Sequence, residues 1–197
     1  MSSSEFIDRH DAEILLNLAG ESIKQGLQDR RVMKVDLETI PDSLCQPGAS
    51  FVTLKLDGQL RGCIGHLEAS QELVLDVVDN AALSAFSDPR FAPLSASEFE
   101  MLEISLSILS TPEPLAFSSE EDLLRKIRPG IDGLILKEGE RQGTFLPSVW
   151  ESLPEPEGFL RHLKQKAGLP EDYWSDSLQV LRYTAQEIKP FMTGDAE

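Results

Sequence analysis

The residues best suited to chemistry lie in one short segment, Arg61-Gly62-Cys63-Ile64-Gly65-His66. A thiolate nucleophile needs a depressed pKa, which a nearby guanidinium can provide. Cys63 is therefore a candidate nucleophile, with Arg61 as its activator and His66 as a candidate base. In a straight strand Cys63 and His66 point to opposite faces, so this pairing requires the turn at Gly65 to redirect His66. The alternative is that Cys63 is a small hydrophobic residue that fills the core.

Anion binding is a second kind of chemistry that the segment could support. Gly62 and Gly65 carry no side chains, so a ligand can approach the backbone and accept hydrogen bonds from its amides. An arginine beside glycines can bind a carboxylate or a phosphate through two parallel hydrogen bonds. The alternatives are a β-bulge or close helix packing at the glycines, and a structural ion pair of Arg61 with Asp88 or Glu103.

Metal chemistry has little support in the sequence. Cys63 and His66 supply two ligands at most, and no second pair stands at zinc spacing. His10 and His162 stand at helical positions among charged neighbours, and we interpret both as surface residues. Phosphate-binding glycine loops, dinucleotide fingerprints and the Ser-His-Asp order are absent from the sequence. We therefore predict no metal site, and the sequence identifies no cofactor.

The charge of the chain limits its partners. Asp and Glu number 34 against 18 Lys and Arg, which gives a formal net charge of −16. Such a chain repels phosphate backbones and anionic lipids, so we expect no nonspecific binding to nucleic acid or to membranes. A small molecule or another protein is the expected partner.

The cellular compartment follows from the N-terminus and the cysteines. Residues 1–5, Met-Ser-Ser-Ser-Glu, include no basic patch leading into an apolar stretch, so we expect no secretory signal. The apolar runs are only a few residues long, too short to span a bilayer. Without export, Cys45 and Cys63 are expected to be reduced thiols. These observations predict a cytoplasmic protein.

The elements that must position the segment alternate irregularly between helices and hairpins. Apolar residues recur at helical spacing over 12–27 and 74–85, with Ser70 as the predicted cap of the second helix. Residues 51–56, 60–65 and 102–108 alternate as strands, and a second hairpin is predicted around Gly139. This order favours an α+β fold, with antiparallel or mixed sheets flanked by helices, over a doubly wound parallel sheet.

The register of the first hairpin decides which residues share a face. A two-residue Asp57-Gly58 loop would pair Leu54 with Arg61 and so mix apolar and charged residues. A three-residue loop pairs Leu54 with Leu60 and places Gly58 at the left-handed position that such loops require. We predict the second register, which puts Arg61 and Cys63 on the face opposite the core.

The segment from Leu60 to Gly65 resembles the signature of the AMMECR family. Similar motifs follow in the family's order, and together they cover about residues 11–187: Asp88-Pro89-Arg90-Phe91, Glu103-Ile104-Ser105, 130–134, Gly143-Thr144-Phe145-Leu146-Pro147 and Lys166-Ala167-Gly168-Leu169. The resemblance implies one two-lobed domain over residues 1–197. The larger lobe would draw on both chain ends and the smaller lobe on the middle of the chain.

The resemblance also bears on partners and site residues. Bacterial and archaeal relatives resemble component A of a set named with Memo-like and radical-SAM proteins, an associational hint of shared chemistry. Asp88 and Arg90 of the shared motifs join Gly62 and Gly65 as candidate ligand-binding residues. The chain departs from the family pattern at 148–150, where relatives more often have Gln-Val-Pro, and at Lys164, where many have cysteine.

Two functions from different classes remain open. The preferred hypothesis is a small-molecule enzyme, or a component of a Memo- and radical-SAM-associated system, in which the 61–66 segment lines a cleft. The alternative is a noncatalytic adaptor domain that binds a protein or peptide through the same surface. A reactive, accessible Cys63 would distinguish the first from the second, because docking depends mainly on shape.

Overall fold

The computed structural model describes residues 7–29, 31 and 33–189, and it divides the chain into two units. Unit 1 combines the chain up to Leu109 with the chain from Gln186 onward, and unit 2 runs from Ser110 to Ala185. In chain order the elements are α1 (Arg9–Asp29), β1 (Pro47–Leu56), β2 (Gln59–Gly65), β3 (Gln71–Glu72), α2 (Leu73–Phe86), α3 (Ala96–Phe99), β4 (Leu102–Leu109), β5 (Glu113–Pro114), α4 (Glu120–Lys126), β6 (Gly133–Glu138), β7 (Arg141–Phe145), α5 (Pro156–Lys166), β8 (Gln179–Tyr183) and β9 (Ala185–Ile188). The predicted α+β class is confirmed.

The structure bears on the membrane prediction but not on the secretion prediction. Each helix in the described part of the chain is too short or too polar to cross a bilayer. The N-terminal residues on which the secretion prediction depends lie outside the described residues.

In unit 1, one side of a sheet is covered by helices. The strand order is β2-β1-β4-β9, and the short β3 pairs with the start of β1. Strand β1 runs antiparallel to β2, β3 and β4. Helix α2 packs on β1 and β2, and α1 packs on α2 and β4. This arrangement places the 61–66 segment at the edge strand, against α2.

The core of unit 1 follows the alternation of its strands. Leu106 and Ile108 of β4 are buried, in the same cluster as Val52 of β1 and Val77 of α2. Other buried members of this cluster, chiefly from α1 and α2, include Leu15, Ala19, Ile23, Leu54, Val74 and Ala81. The alternating pattern of β4 predicts that Leu102, Ile104, Leu106 and Ile108 are all buried, and this prediction is wrong for the first two. These two are half-buried because they pair with the end of β1 nearest the hairpin turn, where they lie against the core without being enclosed.

The hairpin between β1 and β2 turns at Asp57-Gly58, and its predicted register is wrong. Leu56 pairs with Gln59, so the loop contains two residues. Asp57 has φ 50° and Gly58 has φ 73°. Positive φ at both central residues is typical of the type I′ turn, which matches the twist of the flanking strands.

A β-bulge two residues beyond the turn resolves the conflict that had disfavoured a two-residue loop. Lys55 pairs with Leu60, whereas Leu54 pairs with Gly62, so Arg61 is the extra residue on β2. A bulge kinks the strand and redirects the inserted side chain. Leu54 therefore faces Gly62 instead of the charged Arg61, and the apolar face is preserved.

The N-cap residues of the helices agree only in part with those predicted from the sequence. Glu72, not Ser70, occupies the N-cap of α2, because Gln71 and Glu72 pair with the start of β1 as strand β3. The capping box formed by Ser95 and Glu98 before α3 is present. The spacing of Ser118 and Glu121 predicts a capping box before α4, but the N-cap is Ser119, one residue later.

Unit 2 contains an antiparallel sheet of order β5-β8-β6-β7. Helix α5 packs on β7, and α4 packs on α5. The Trp150 ring stacks on Phe159 with 3.8 Å between centroids and 9° between planes. Trp174 and Phe145 lie against the same core, so these aromatic residues serve packing.

The chain enters and leaves unit 2 side by side. The backbone N–H of Ser110 donates to the carbonyl of Thr184 at 2.9 Å, and the N–H of Thr184 donates to the Ser110 hydroxyl at 2.9 Å. Unit 2 is therefore a continuous insertion whose first and last residues are neighbours.

Candidate functional site

A row of polar residues runs along the buried face of α2. Asp76, Asn80 and Ser84 follow one another at four-residue spacing, and each is at most 1% exposed. Asp76 Oδ2 accepts hydrogen bonds from the Ser50 backbone N–H at 2.8 Å and from the Ser50 hydroxyl at 2.6 Å. Asn80 Nδ2 donates to the same carboxylate oxygen at 2.9 Å. Sequence reasoning described this helix by its apolar stripe and missed the row, although its spacing was visible.

Ser84 joins the two strands on which α2 packs. Its hydroxyl donates to the carbonyl of Val52 on β1 and accepts from the N–H of Ile64 on β2, both at 2.9 Å. A Cβ added at Gly62 would lie 2.2 Å from the Ser84 carbonyl oxygen. The close approach of α2 to β2 therefore accounts for glycine at position 62.

His66 is held by the first residue of this row. Its Nδ1 lies 2.9 Å from Asp76 Oδ1, with the histidine side chain 48% exposed and the aspartate side chain 1% exposed. A carboxylate can only accept hydrogen bonds, so in the neutral ring Nδ1 carries the proton and Nε2 keeps its lone pair. Nε2 is thus available to accept a proton from a ligand, which is the geometry of an oriented general base.

A cavity of about 800 Å³ in unit 1 opens beside His66. Its polar lining consists of Arg31, His66, Asp79 and Ser87, and its apolar lining includes Leu27, Ala82, Leu83, Phe86, Pro93 and Leu94. The volume is within the range of small-molecule sites, which combine apolar walls with a few polar groups. Helix α2 supplies one wall through residues at positions 79, 82, 83 and 86, the spacing of a single helix face.

Cys63 lies on the sheet with its backbone clamped. Its N–H donates to Asp88 Oδ2 at 2.9 Å, and its carbonyl accepts from Arg90 Nη2 at 3.2 Å. Arg90 Nη2 also pairs with Asp88 Oδ2 at 2.7 Å. Hydrogen bonds from Arg90, assisted by the Cys63 N–H, hold the pKa of the Asp88 carboxyl well below its usual range, and this carboxylate raises the pKa of Arg90. The half-buried thiol lies 3.3 Å from the Thr53 hydroxyl.

Arg61 is bound within the fold. Its Nε donates to Glu98 Oε1 at 2.7 Å, its Nη2 donates to the Ala92 carbonyl at 2.9 Å, and its side chain is 13% exposed. The ion-pair partner is Glu98, and not Asp88 or Glu103 as the sequence suggested. Hydrogen bonding to Arg61, with further donors from Ser95, lowers the pKa of Glu98 to about 2.

Only one of the three candidate catalytic residues lines the cavity beside α2. The cavity lining includes His66 but neither Cys63 nor Arg61. At Gly65, as at Gly62, protein atoms fill the space beside Cα, since an added Cβ would lie 2.3 Å from the Phe51 ring. Within residues 7–29, 31 and 33–189, no group of three or more His, Cys, Asp or Glu side chains could hold a metal ion.

Lys164 in unit 2 is the most deeply buried cation of the described residues. It is 1% exposed, and its Nζ donates to Glu120 Oε1 at 2.7 Å. The Nζ atom also lies 5.8 Å from the centre of the Trp174 ring. A carboxylate and an aromatic face explain how the fold accommodates lysine at this position.

Comparison with known proteins identifies relatives over most of the chain. The AMMECR1 family model matches residues 16–188. A protein from Methanothermobacter thermautotrophicus is 34% identical over 91% of this chain and 94% of its own, and one from Thermotoga maritima is 41% identical over 77% and 84%. The crystal structure of an uncharacterised protein from Pyrococcus horikoshii has a TM-score of 0.86 and 33% identity, covering 93% of both chains.

Proposed function

This chain belongs to the AMMECR1 family, and from that premise we propose that it is a small-molecule enzyme, or an enzyme component, whose reactive group is His66. One observation carries the proposal: an exposed imidazole beside an 800 Å³ cavity is oriented by a carboxylate that is 1% exposed. Asp76 would be a costly group to bury for packing alone, because a buried charge must be fully hydrogen-bonded. Its partners, Ser50, Asn80 and His66, supply those bonds.

In the proposed mechanism, His66 Nε2 takes a proton from a ligand bound in the cavity. The imidazolium that forms is stabilised by the Asp76 carboxylate at Nδ1, as in other oriented histidine bases. The Ser50 and Asn80 hydrogen bonds keep that carboxylate in place.

Cys63 and Arg61 remain predicted participants in the same segment. The half-exposure of the Cys63 thiol and its clamped backbone support a role as nucleophile. The Arg61 guanidinium supports that role less, because its Nε and Nη2 already donate to Glu98 and to the Ala92 carbonyl. Asp88 and Arg90 hold the backbone of Cys63 in place through hydrogen bonds. Arg90, whose side chain is 53% exposed, also keeps donors available for an anion.

We also propose, on the family resemblance, that the protein works in the cytoplasm with Memo-like or radical-SAM proteins. If a partner enzyme supplies the chemistry, His66 would prepare or bind the molecule on which that partner acts. Purified Memo-like and radical-SAM proteins from the same organism should then bind this chain in sedimentation experiments, and independent sedimentation of both would contradict the partnership.

Metabolite profiling tests the enzymatic proposal. The purified protein is incubated with a small-molecule extract of its own organism, and changes are followed by mass spectrometry. We expect at least one compound to change with the parent and not with His66→Gln, while His10→Gln, which alters an exposed histidine, behaves like the parent. Identical profiles for the parent and His66→Gln would contradict a catalytic His66.

A noncatalytic adaptor domain is the second candidate. Leu60 is 43% exposed and Met101 is 61% exposed, and both adjoin the end of the sheet that carries the β1–β2 turn. In the adaptor hypothesis these two side chains would provide the apolar contacts with the partner. Replacing both with serine should abolish partner binding under the adaptor hypothesis and leave the metabolite profile unchanged under the enzyme hypothesis.

A further inference from the structure

We propose that the cavity beside His66 takes a protonated amine with an apolar body, an inference that rests on the proposed function because it assumes that this cavity is the ligand site. Its lining includes two hydrogen-bond acceptors, His66 and Asp79, together with hydrocarbon side chains such as Leu83 and Phe86. A ligand that fills it must therefore bring hydrogen-bond donors on an apolar frame.

The first acceptor is His66 Nε2. Because Nδ1 is committed to the buried Asp76 carboxylate at 2.9 Å, the neutral ring presents a lone pair at its exposed end. Carboxylate ligands lack a proton to share with this lone pair, whereas ammonium groups, amines and alcohols have one. The orientation of the His66 ring therefore favours a ligand that has a hydrogen-bond donor.

The second acceptor is Asp79, which stands three residues after Asp76 on the same side of α2. Its Oδ2 accepts from Gln71 Nε2 at 3.1 Å, a neutral donor that leaves the carboxylate charge uncompensated. Among the described residues no cation forms an ion pair with Asp79. A half-buried, unpaired carboxylate attracts a cation more strongly than one in open water does.

The cationic side chain in the lining does not offset this preference. Arg31 is solvent-exposed, so water and salt screen its charge. The chain as a whole carries a net charge of −16, which draws cations towards it and disfavours anions. The apolar wall then holds the ligand's hydrocarbon body, and each added methylene should tighten binding by about 4-fold.

The test uses three probes that share one apolar body: hexylamine, 1-hexanol and hexanoate. Binding to the full chain is measured by calorimetry and by NMR of the His66 ring, at about 150 mM salt to screen long-range charge. We expect hexylamine to bind about 10-fold more tightly than 1-hexanol, because an ammonium–carboxylate hydrogen bond is charge-assisted. Hexanoate should bind most weakly.

A variant of the carboxylate provides the second arm. Asp79→Asn should bring hexylamine to within about 2-fold of 1-hexanol and leave 1-hexanol unchanged, since the apolar wall is intact. Asp57→Asn is the matched control, because it removes the same charge at the hairpin turn, outside the cavity lining, where asparagine tolerates the positive φ. It should bind all three probes as the parent does.

The outcomes separate the two proposals. If none of the three probes binds, the cavity is not a ligand site and the proposed function fails. If 1-hexanol or hexanoate binds as well as hexylamine, the amine inference is overturned and the ligand site stands. A preference for hexylamine that survives Asp79→Asn also overturns the inference, because the attraction would then come from net charge alone.

Discussion

Alanine at position 62 should destabilise unit 1, and the structure gives the size of the effect. The new Cβ would lie 2.2 Å from the Ser84 carbonyl oxygen, more than 1 Å inside the 3.4 Å at which ordinary contact begins. That oxygen belongs to the backbone of α2, so the steric clash can be removed only if the helix and β2 move apart. Overpacking of this kind costs about 1–3 kcal/mol.

Separation also stretches the two hydrogen bonds that the Ser84 hydroxyl makes to Val52 and Ile64. Each contributes about 0.5–1.5 kcal/mol, so Gly62→Ala should lower the free energy of unfolding by about 2–6 kcal/mol in total. Gly20→Ala in α1 is the matched control. Its Cβ would lie 3.8 Å from Ile104 Cδ1, an ordinary contact, and alanine should raise stability by about 0.5–1 kcal/mol through its higher helix propensity.

The assay must report on unit 1. Both tryptophans, Trp150 and Trp174, lie in unit 2, so their fluorescence follows that unit. Urea unfolding followed by circular dichroism at the helical band, with hydrogen exchange of peptides from β2 and α2, reports on the altered contact. A Gly62→Ala protein within about 0.5 kcal/mol of the parent would refute the packing explanation and return Gly62 to the ligand-binding candidates.

Three further predictions concern the core, the ion pair and the thiols. Leu106→Ala should cost about 2–5 kcal/mol in urea unfolding, because the side chain is 1% exposed in the unit 1 core; a loss below about 1 kcal/mol would contradict that burial. The pKa of Glu98 is lowered from its usual 4.5 to about 2, so its pairing with Arg61 stabilises the fold above pH 4.5 and is lost as the pH falls through about 2. Glu98→Gln should therefore be less stable than the parent by about 1 kcal/mol near neutral pH, and this difference should disappear as the pH falls below about 2; a constant difference across that range would contradict the linkage. Iodoacetamide should alkylate Cys63 faster than Cys45, read by mass spectrometry, and a Cys63 that reacts only after denaturation would exclude it as the nucleophile.

Local pattern predicted the strands and helices well, because alternation and helical spacing are properties of neighbouring residues. The alternating run at β4 and the turn at Asp57-Gly58 are present where the sequence placed them. The hairpin register was wrong because the bulge at Arg61 depends on how β2 meets the rest of unit 1, where Gly62 must lie against α2. A single strand read alone contains no sign of that contact.

The site was only partly predictable for a similar reason. His66 was singled out from its position beside Cys63, yet its partner is Asp76, which lies on the following helix. The polar row that begins with Asp76 was visible as four-residue spacing within an apolar helix, but spacing alone does not reveal which strand those side chains reach. Arg61 was expected to act on a thiol, and its ion pair with Glu98 depends on helix α3, which lies 35 residues or more further along the chain.

The neighbouring ends of unit 2 have a consequence for the order of folding. Strand β9 pairs with β4, and the whole of unit 2 separates these two strands along the chain. Closing a flexible loop of roughly 80 residues costs about 4 kcal/mol in chain entropy. Once unit 2 has folded, the pairing of Ser110 with Thr184 already holds the two ends together, and most of that cost has been met. We therefore expect β9 to dock only after unit 2 is formed, so that a lesion in the unit 2 core slows completion of the unit 1 sheet.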